Sequence, residues 1–197
     1  MARPSVEAER KEQILAATRA VVAEKGFQAM RVADVAQRSG ISSGTIHYYF
    51  DTKRELMHAA FEWNFENSEA RRSDLLDDVD DPAERLRVLV ASYLPSEELL
   101  VESWHLWFAL WLEAIHDPDL QELNEKVYGE WRRRMAAIIR DGQDRGRIVA
   151  GDPVLLANAI IGMVDGLAIQ VLMSSRAMTL TRMREVCDGV VELVTAR

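Results

Sequence analysis

The stretch GISSGTIHYYFDTKREL, Gly40 to Leu56, sets His47 and three rings, Tyr48, Tyr49 and Phe50, side by side and follows them with the basic pair Lys53 and Arg54. A segment that only crosses a core would use Leu, Ile or Val, which bury without leaving a donor unsatisfied. Polar-tipped rings in one short run suit a surface that touches something polar. A second concentration lies in SEELLVESWHLWFALWLEAIHDPDL, where Trp104, Trp107, Phe108 and Trp111 recur at i, i+3, i+4 and i+7, one face of a helix. Such a stripe is either core or the wall of a small-molecule site, and Trp63, Phe65 and Tyr93 could join it. Tryptophans can surround a quaternary ammonium by cation–π attraction, with Glu102 or Glu113 balancing the charge. Without a buried carboxylate, the same rings would hold a flat or greasy neutral molecule by area alone.

Glu102, His105, Glu113 and His116 stand near these rings, but no HExxH, paired-cysteine or nucleophile-elbow spacing accompanies them. No metal, cofactor or catalytic set is therefore expected. Arg132, Arg133 and Arg134 occupy consecutive positions, point around a helix's circumference and read as a solvated face. Two alternatives to a small-molecule sensor stay open: an α-helical enzyme with its site in the Trp-rich body, and a binding protein that senses nothing.

Helices must position these groups. Apolar residues recur at helical spacing nearly throughout and no alternating strand run is convincing, so the chain reads as all-α with about nine helices. The expected spans are 7–25, 32–39, 43–49, 53–76, 82–94, 97–115, 118–140, 153–173 and 181–194. Gly26 and Gly40 stop the first two, Ser42 suits the N-cap of the third, and Pro82, Pro118 and Pro153 stand where proline is tolerated, at helix starts.

The chain has 197 residues and a net charge of -8, but the charge is uneven: residues 1–54 carry nine Lys and Arg against six Asp and Glu, and the remainder is acidic. Screening over roughly 8 to 10 Å lets a locally basic head bind phosphate despite an acidic body. The expected division is accordingly 1–54 and 55–197. One cysteine, Cys187, excludes an internal disulfide and fits a reducing compartment, the cytoplasm. The N-terminus MARPSVEAERKEQ has no apolar core of a secretory signal. Pro153 to Met173 is apolar enough to need a membrane check, but Asp165 at its centre costs roughly 2.5 to 3.5 kcal/mol on insertion scales, so a buried helix is expected and no membrane.

Ala36, Gly40 and Ile46 have the spacing of a helix-turn-helix: a small residue for close approach, a glycine for the turn, a branched residue to lock the second helix on the core. Across Ile14 to Leu56, a helix ending in KGF followed by VADVAQRSGIS, GTIHYYF and TKREL resembles the DNA-binding domain of the TetR family of bacterial transcriptional regulators. The resemblance implies a three-helix DNA-binding head, a ligand-binding helical body and a homodimer on a palindromic double-stranded operator, released as a repressor by a small-molecule effector. With the third helix in the major groove, Ser43, Gly44 and His47 lie on its leading face, Thr45, Tyr48 and Tyr49 give hydroxyls to phosphates, and Lys53 holds an adjacent phosphate. Partial burial in the small core is the alternative for one of the tyrosines. The family usually has Tyr at the position of His47 and Ser or Thr at that of Arg31, which reads here as either a phosphate contact or a solvated residue. The run from Trp104 to Leu123 with IIGMVDGLAIQVLMSS is similar to the BetI-like subgroup of choline-responsive repressors, which tilts the effector toward a cation. The resemblance further implies that the last two helices pair in a dimer bundle, with Gly162, Asp165 and Gly166 on one and Val186 and Val190 on the other.

Overall fold

A computed structural model describes residues 6–195; the reading of the extreme N-terminus rests partly on residues 1–5, outside the described residues. Among the described residues nine helices follow one another: α1 Val6–Lys25, α2 Val32–Ser39, α3 Ser43–Tyr49, α4 Lys53–Leu76, α5 Pro82–Ala91, α6 Glu98–Ala114, α7 Pro118–Asp144, α8 Pro153–Leu172 and α9 Leu180–Val194. The chain divides into two compact units, one holding the chain up to Ser68 with Val101–Asn124, the other Glu69–Leu100 with the chain from Glu125 onward.

The first unit extends beyond residues 1–54 because the start of α4 supplies core: Leu56, Met57 and Phe61 are buried with Ile14, Val21 and Val22 of α1, Val35 of α2 and Ile46 of α3. α1 buries one polar group there, Thr18, whose hydroxyl donates to the Ile14 carbonyl at 2.8 Å. α4 and α6 are tied by Ser103, whose hydroxyl donates to Asn64 Oδ1 at 2.9 Å, and by Phe61 set edge-on to Trp107 at 4.4 Å.

In the second unit Asp81 and Asp152, each standing just before the expected proline, cap α5 and α8, Asp81 accepting the Ala83 N–H and Asp152 those of Val154 and Leu155. Two helix ends depart from expectation. α5 stops at Ala91, not 94: the Ser92 hydroxyl donates to the Leu89 carbonyl at 2.6 Å, and Pro95 drives Leu94 out of helical backbone. Tyr93 therefore sits in a turn. α7 runs one turn past 140, held by the Arg145–Asp141 pair at 3.0 Å and closed by the N–H groups of Arg147 and Ile148 on the Gly142 carbonyl.

α8 has a mean hydropathy of 1.9, enough in length and composition to cross a membrane. The expectation of a buried helix holds for one face only. Ala157, Ile160, Ile161, Val164 and Ala168 are buried, whereas Leu155 and Met173 are 66% and 77% exposed. α9 buries Met183, Cys187 and Val191. Burial pushes the Cys187 thiol up to about 11, so it packs as a small hydrophobe.

Candidate functional site

The turn between α2 and α3 is made by Gly40, whose φ of +69° is left-handed backbone that a side chain would strain. Ser42 then caps α3, accepting the Thr45 N–H at 3.1 Å while its hydroxyl meets that of Thr45 at 2.9 Å. Seven residues make a weak helix on their own; what holds α3 is Ile46, fully buried, with Phe50 beyond it. Burying such a side chain contributes about 1.5 to 3 kcal/mol. With that face fixed, Gly44, His47 and Tyr48 are exposed, Tyr48 to 81%, and Ser43 and Thr45 are half-exposed beside them. Tyr49 is half-buried: it stacks edge-on with Tyr48 at 5.2 Å and has the Lys11 ammonium 5.4 Å from its centroid. The polar rings of the opening stretch thus cover the outside of an apolar anchor.

Lys53 is less open than expected. Its ammonium donates to the Gln28 carbonyl at 3.1 Å and lies 4.5 Å over Phe27, so it braces the α1–α2 connection and has only its remaining donors for a phosphate. Arg54 is engaged with Asp117 at 2.7 Å and Asp119 at 2.8 Å. Arg31 stands exposed at the N-cap of α2, where the Asp34 carboxylate accepts its N–H at 2.9 Å. Asp34 also takes the Lys25 ammonium at 2.8 Å, and these partners hold its carboxyl below the usual range. An acid in the first turn offsets the cation at the helix start.

The rings of α6 share one face, as their spacing requires: Trp104 lies 5.7 Å from Phe108 and 6.4 Å from Trp111, and Trp107 lies 6.0 Å from Trp111. Trp104 is buried and the other three half-buried. Trp111 Nε1 donates to Asn124 Oδ1 at 3.0 Å. The carboxylates expected to await a ligand are already engaged. Glu102 Oε2 accepts Arg19 Nε at 3.0 Å, Arg19 lies 5.3 Å over Trp63, and Glu113 accepts Gln28 Nε2.

Tyr93 belongs to the other unit. Its ring has the Arg72 guanidinium 3.8 Å from the centroid and the Trp131 ring at 4.3 Å, so a cation of the protein's own already lies against it. Arg72 pairs with Glu69 at 3.2 Å, and Arg134 meets the second Glu69 oxygen at 2.9 Å. Arg134 is therefore not the solvated residue expected of the arginine run, though Arg133 is exposed. Asp165 also differs from expectation: it turns toward α7, where the Tyr128 hydroxyl donates to Oδ2, rather than joining the open face of Gly162 and Gly166. Burial pushes the Asp165 carboxyl up to about 6. Trp131, Arg72, Glu69 and Tyr128 escaped sequence reasoning; the signal was an acid in apolar α8, which needs a partner, and two rings at i, i+3 on α7.

A capped recognition helix, polar outside and anchored within, on an all-helical chain defines a helix-turn-helix transcriptional regulator. Residues 14–60 match the family described as bacterial regulatory proteins, tetR family, and residues 82–196 match the BetI-type transcriptional repressor C-terminal domain. The chain belongs to the TetR family, with a C-terminal domain of the BetI type, and is a regulator rather than an enzyme. The HTH-type transcriptional regulator BetI of Proteus mirabilis is 27% identical over 188 residues, 93% of this chain and 90% of that one. The crystal structure of a transcriptional regulator from Saccharomonospora viridis in complex with choline is 31% identical, with a TM-score of 0.91 over 96% of this chain and 99% of that one. FadR of Bacillus subtilis in complex with stearoyl-CoA, 22% identical with a TM-score of 0.75 over 92% and 96%, shares the fold.

Proposed function

We propose that this regulator is a cytoplasmic homodimeric repressor that binds a palindromic operator through α3 and leaves it when a small organic cation binds the body. The observation that carries the DNA reading is the split character of α3, with Ile46 fully buried and Gly44, His47 and Tyr48 exposed. Ser43, Gly44 and His47 form the leading face, Gly44 permitting close approach to a base and His47 donating to or accepting from base edges, while Thr45, Tyr48, Tyr49, Arg31 and the remaining donors of Lys53 supply phosphate partners. One seven-residue helix reads few base pairs, so two copies are needed for useful specificity. The exposed apolar stripe of α8, with Gly162 and Gly166 open and Val186 and Val190 half-buried on α9, supports the pairing. The cationic effector is supported by the choline complex of the Saccharomonospora relative and by the rings of α6 with Trp63 and Glu102 in the same unit. Selection from random duplexes tests the DNA reading: a palindrome should emerge, bound by a dimer with an affinity that falls steeply with salt. Recovery of no preferred sequence contradicts it.

A further inference from the structure

The acid and ring on which the effector reading draws already hold a cation of the protein's own. Arg19, on α1, donates from Nε to Glu102 on α6 at 3.0 Å, and its guanidinium carbon lies 5.3 Å from the centroid of Trp63 on α4. The two ionic side chains are only 11% and 15% exposed. A guanidinium over an indole with a carboxylate at its edge is recognised by the same forces that recognise an alkylammonium: attraction to the ring quadrupole, and ion pairing in a reduced dielectric. The half-buried Glu102 charge is costly to leave unpaired, so it keeps one cation at all times. Arg19 and an external cation of the same charge would need the same carboxylate and the same ring face, so one excludes the other.

The consequence follows from where Arg19 sits. α1 is the first helix of the DNA-binding head and packs directly against α2. With Arg19 in place, α1 carries a polar link to α4 and α6 at once; with the carboxylate given to another cation, that link is gone, and the Gln28–Glu113 hydrogen bond remains in the turn after α1. We propose that Trp63 and Glu102 form a cation site for which Arg19 and an organic ammonium effector compete, so that binding the effector breaks the Arg19 link from α1 to Glu102 on α6 and Trp63 on α4, while the core they share stays packed, and carries the signal to the head. This rests on the cationic-effector reading above. The comparable stack of Arg72 on Tyr93 belongs to the other unit.

Calorimetry with choline and with tetramethylammonium on the full-length wild type and on Arg19→Met tests this, with operator affinity measured on the same samples. The wild type should bind both cations. Arg19→Met should bind them about five- to tenfold more tightly, because nothing has to leave first, and its operator affinity should no longer respond to them. A merely structural role for Arg19 would not tighten cation binding. If the wild type binds the cations and Arg19→Met binds them no more tightly, the competition is overturned while the effector reading stands. If neither protein binds them, both fall. Should Arg19→Met not fold, Trp63→Leu keeps the Arg19–Glu102 pair and should bind the cations about tenfold more weakly; unchanged binding overturns the proposal.

Discussion

Asp165→Asn should make the protein more stable at neutral pH and no more stable in acid. Asp165 is half-buried on α8; Oδ2 accepts the Tyr128 hydroxyl of α7, and Oδ1, itself buried, has no hydrogen-bond partner among the described residues. Burial raises its carboxyl from 3.8 to about 6, the Tyr128 bond offsetting only part of the penalty. A group whose pKa is higher folded than unfolded favours the fold below the unfolded value, and that advantage is lost as pH rises through the folded value. Below 3.8 both states carry the proton; between 3.8 and 6 the unfolded chain ionises first; above 6 the full cost is present. A shift of about 2 units corresponds to about 3 kcal/mol. Asparagine keeps an acceptor for Tyr128 and carries no charge, so Asp165→Asn should recover about 2 to 3 kcal/mol at pH 7.5, or about 4 to 12 °C in Tm for a chain of this size. The assay is a thermal melt followed by circular dichroism at pH 7.5 and at pH 4.0, on either side of the isoelectric point near 5.1, at one protein concentration. A variant that melts with the wild type at pH 7.5, or whose advantage persists undiminished at pH 4.0, refutes the reasoning.

Gly166→Leu meets open space within one chain and replaces a poor helix former with a good one, so the monomer should keep its fold while dimerisation weakens; sedimentation equilibrium should show a larger dissociation constant with unchanged helical content. His47→Ala should relax preference at one base step and cost about 1 to 3 kcal/mol on the selected operator, with little effect on random DNA by fluorescence anisotropy. Lys53→Ala should weaken operator and random DNA alike and also lower the melting temperature, because its ammonium braces Gln28 and Phe27. Arg31→Ser should reduce the salt slope of operator binding by about 1 if the exposed guanidinium meets a phosphate; an unchanged slope makes it a solvated residue.

The helices were legible because their signals are local. Pro82, Pro118 and Pro153 each begin a helix, Gly26 and Gly40 each follow one, and Ser42 caps α3 as its hydroxyl suggests. The two misplaced ends turn on local groups that apolar periodicity does not register: the early stop of α5 on the Ser92 hydroxyl and Pro95, and the extra turn of α7 on amides that return to Gly142. The same division runs through the candidate sites. Arrangements within one helix, such as the split of α3 or the ring stripe of α6, could be read from spacing. What each charged group pairs with could not: Arg19 meets Glu102 across 83 residues, Arg54 meets Asp117 across 63, and Asp165 meets Tyr128 across 37, and no periodicity encodes such partners. Glu102 thus read as an acid waiting for a ligand, when the fold supplies it with an arginine.

The most direct test of the account is the anisotropy of a labelled operator duplex, recovered by selection and bound by the wild-type protein, as choline is titrated against its neutral isostere 3,3-dimethyl-1-butanol. The two molecules share shape and differ in charge, and the ring faces and the Glu102 carboxylate respond to charge. The account predicts that choline lowers the anisotropy to that of free DNA while the isostere leaves the complex intact. Release by both at equal concentration, or by neither, contradicts it.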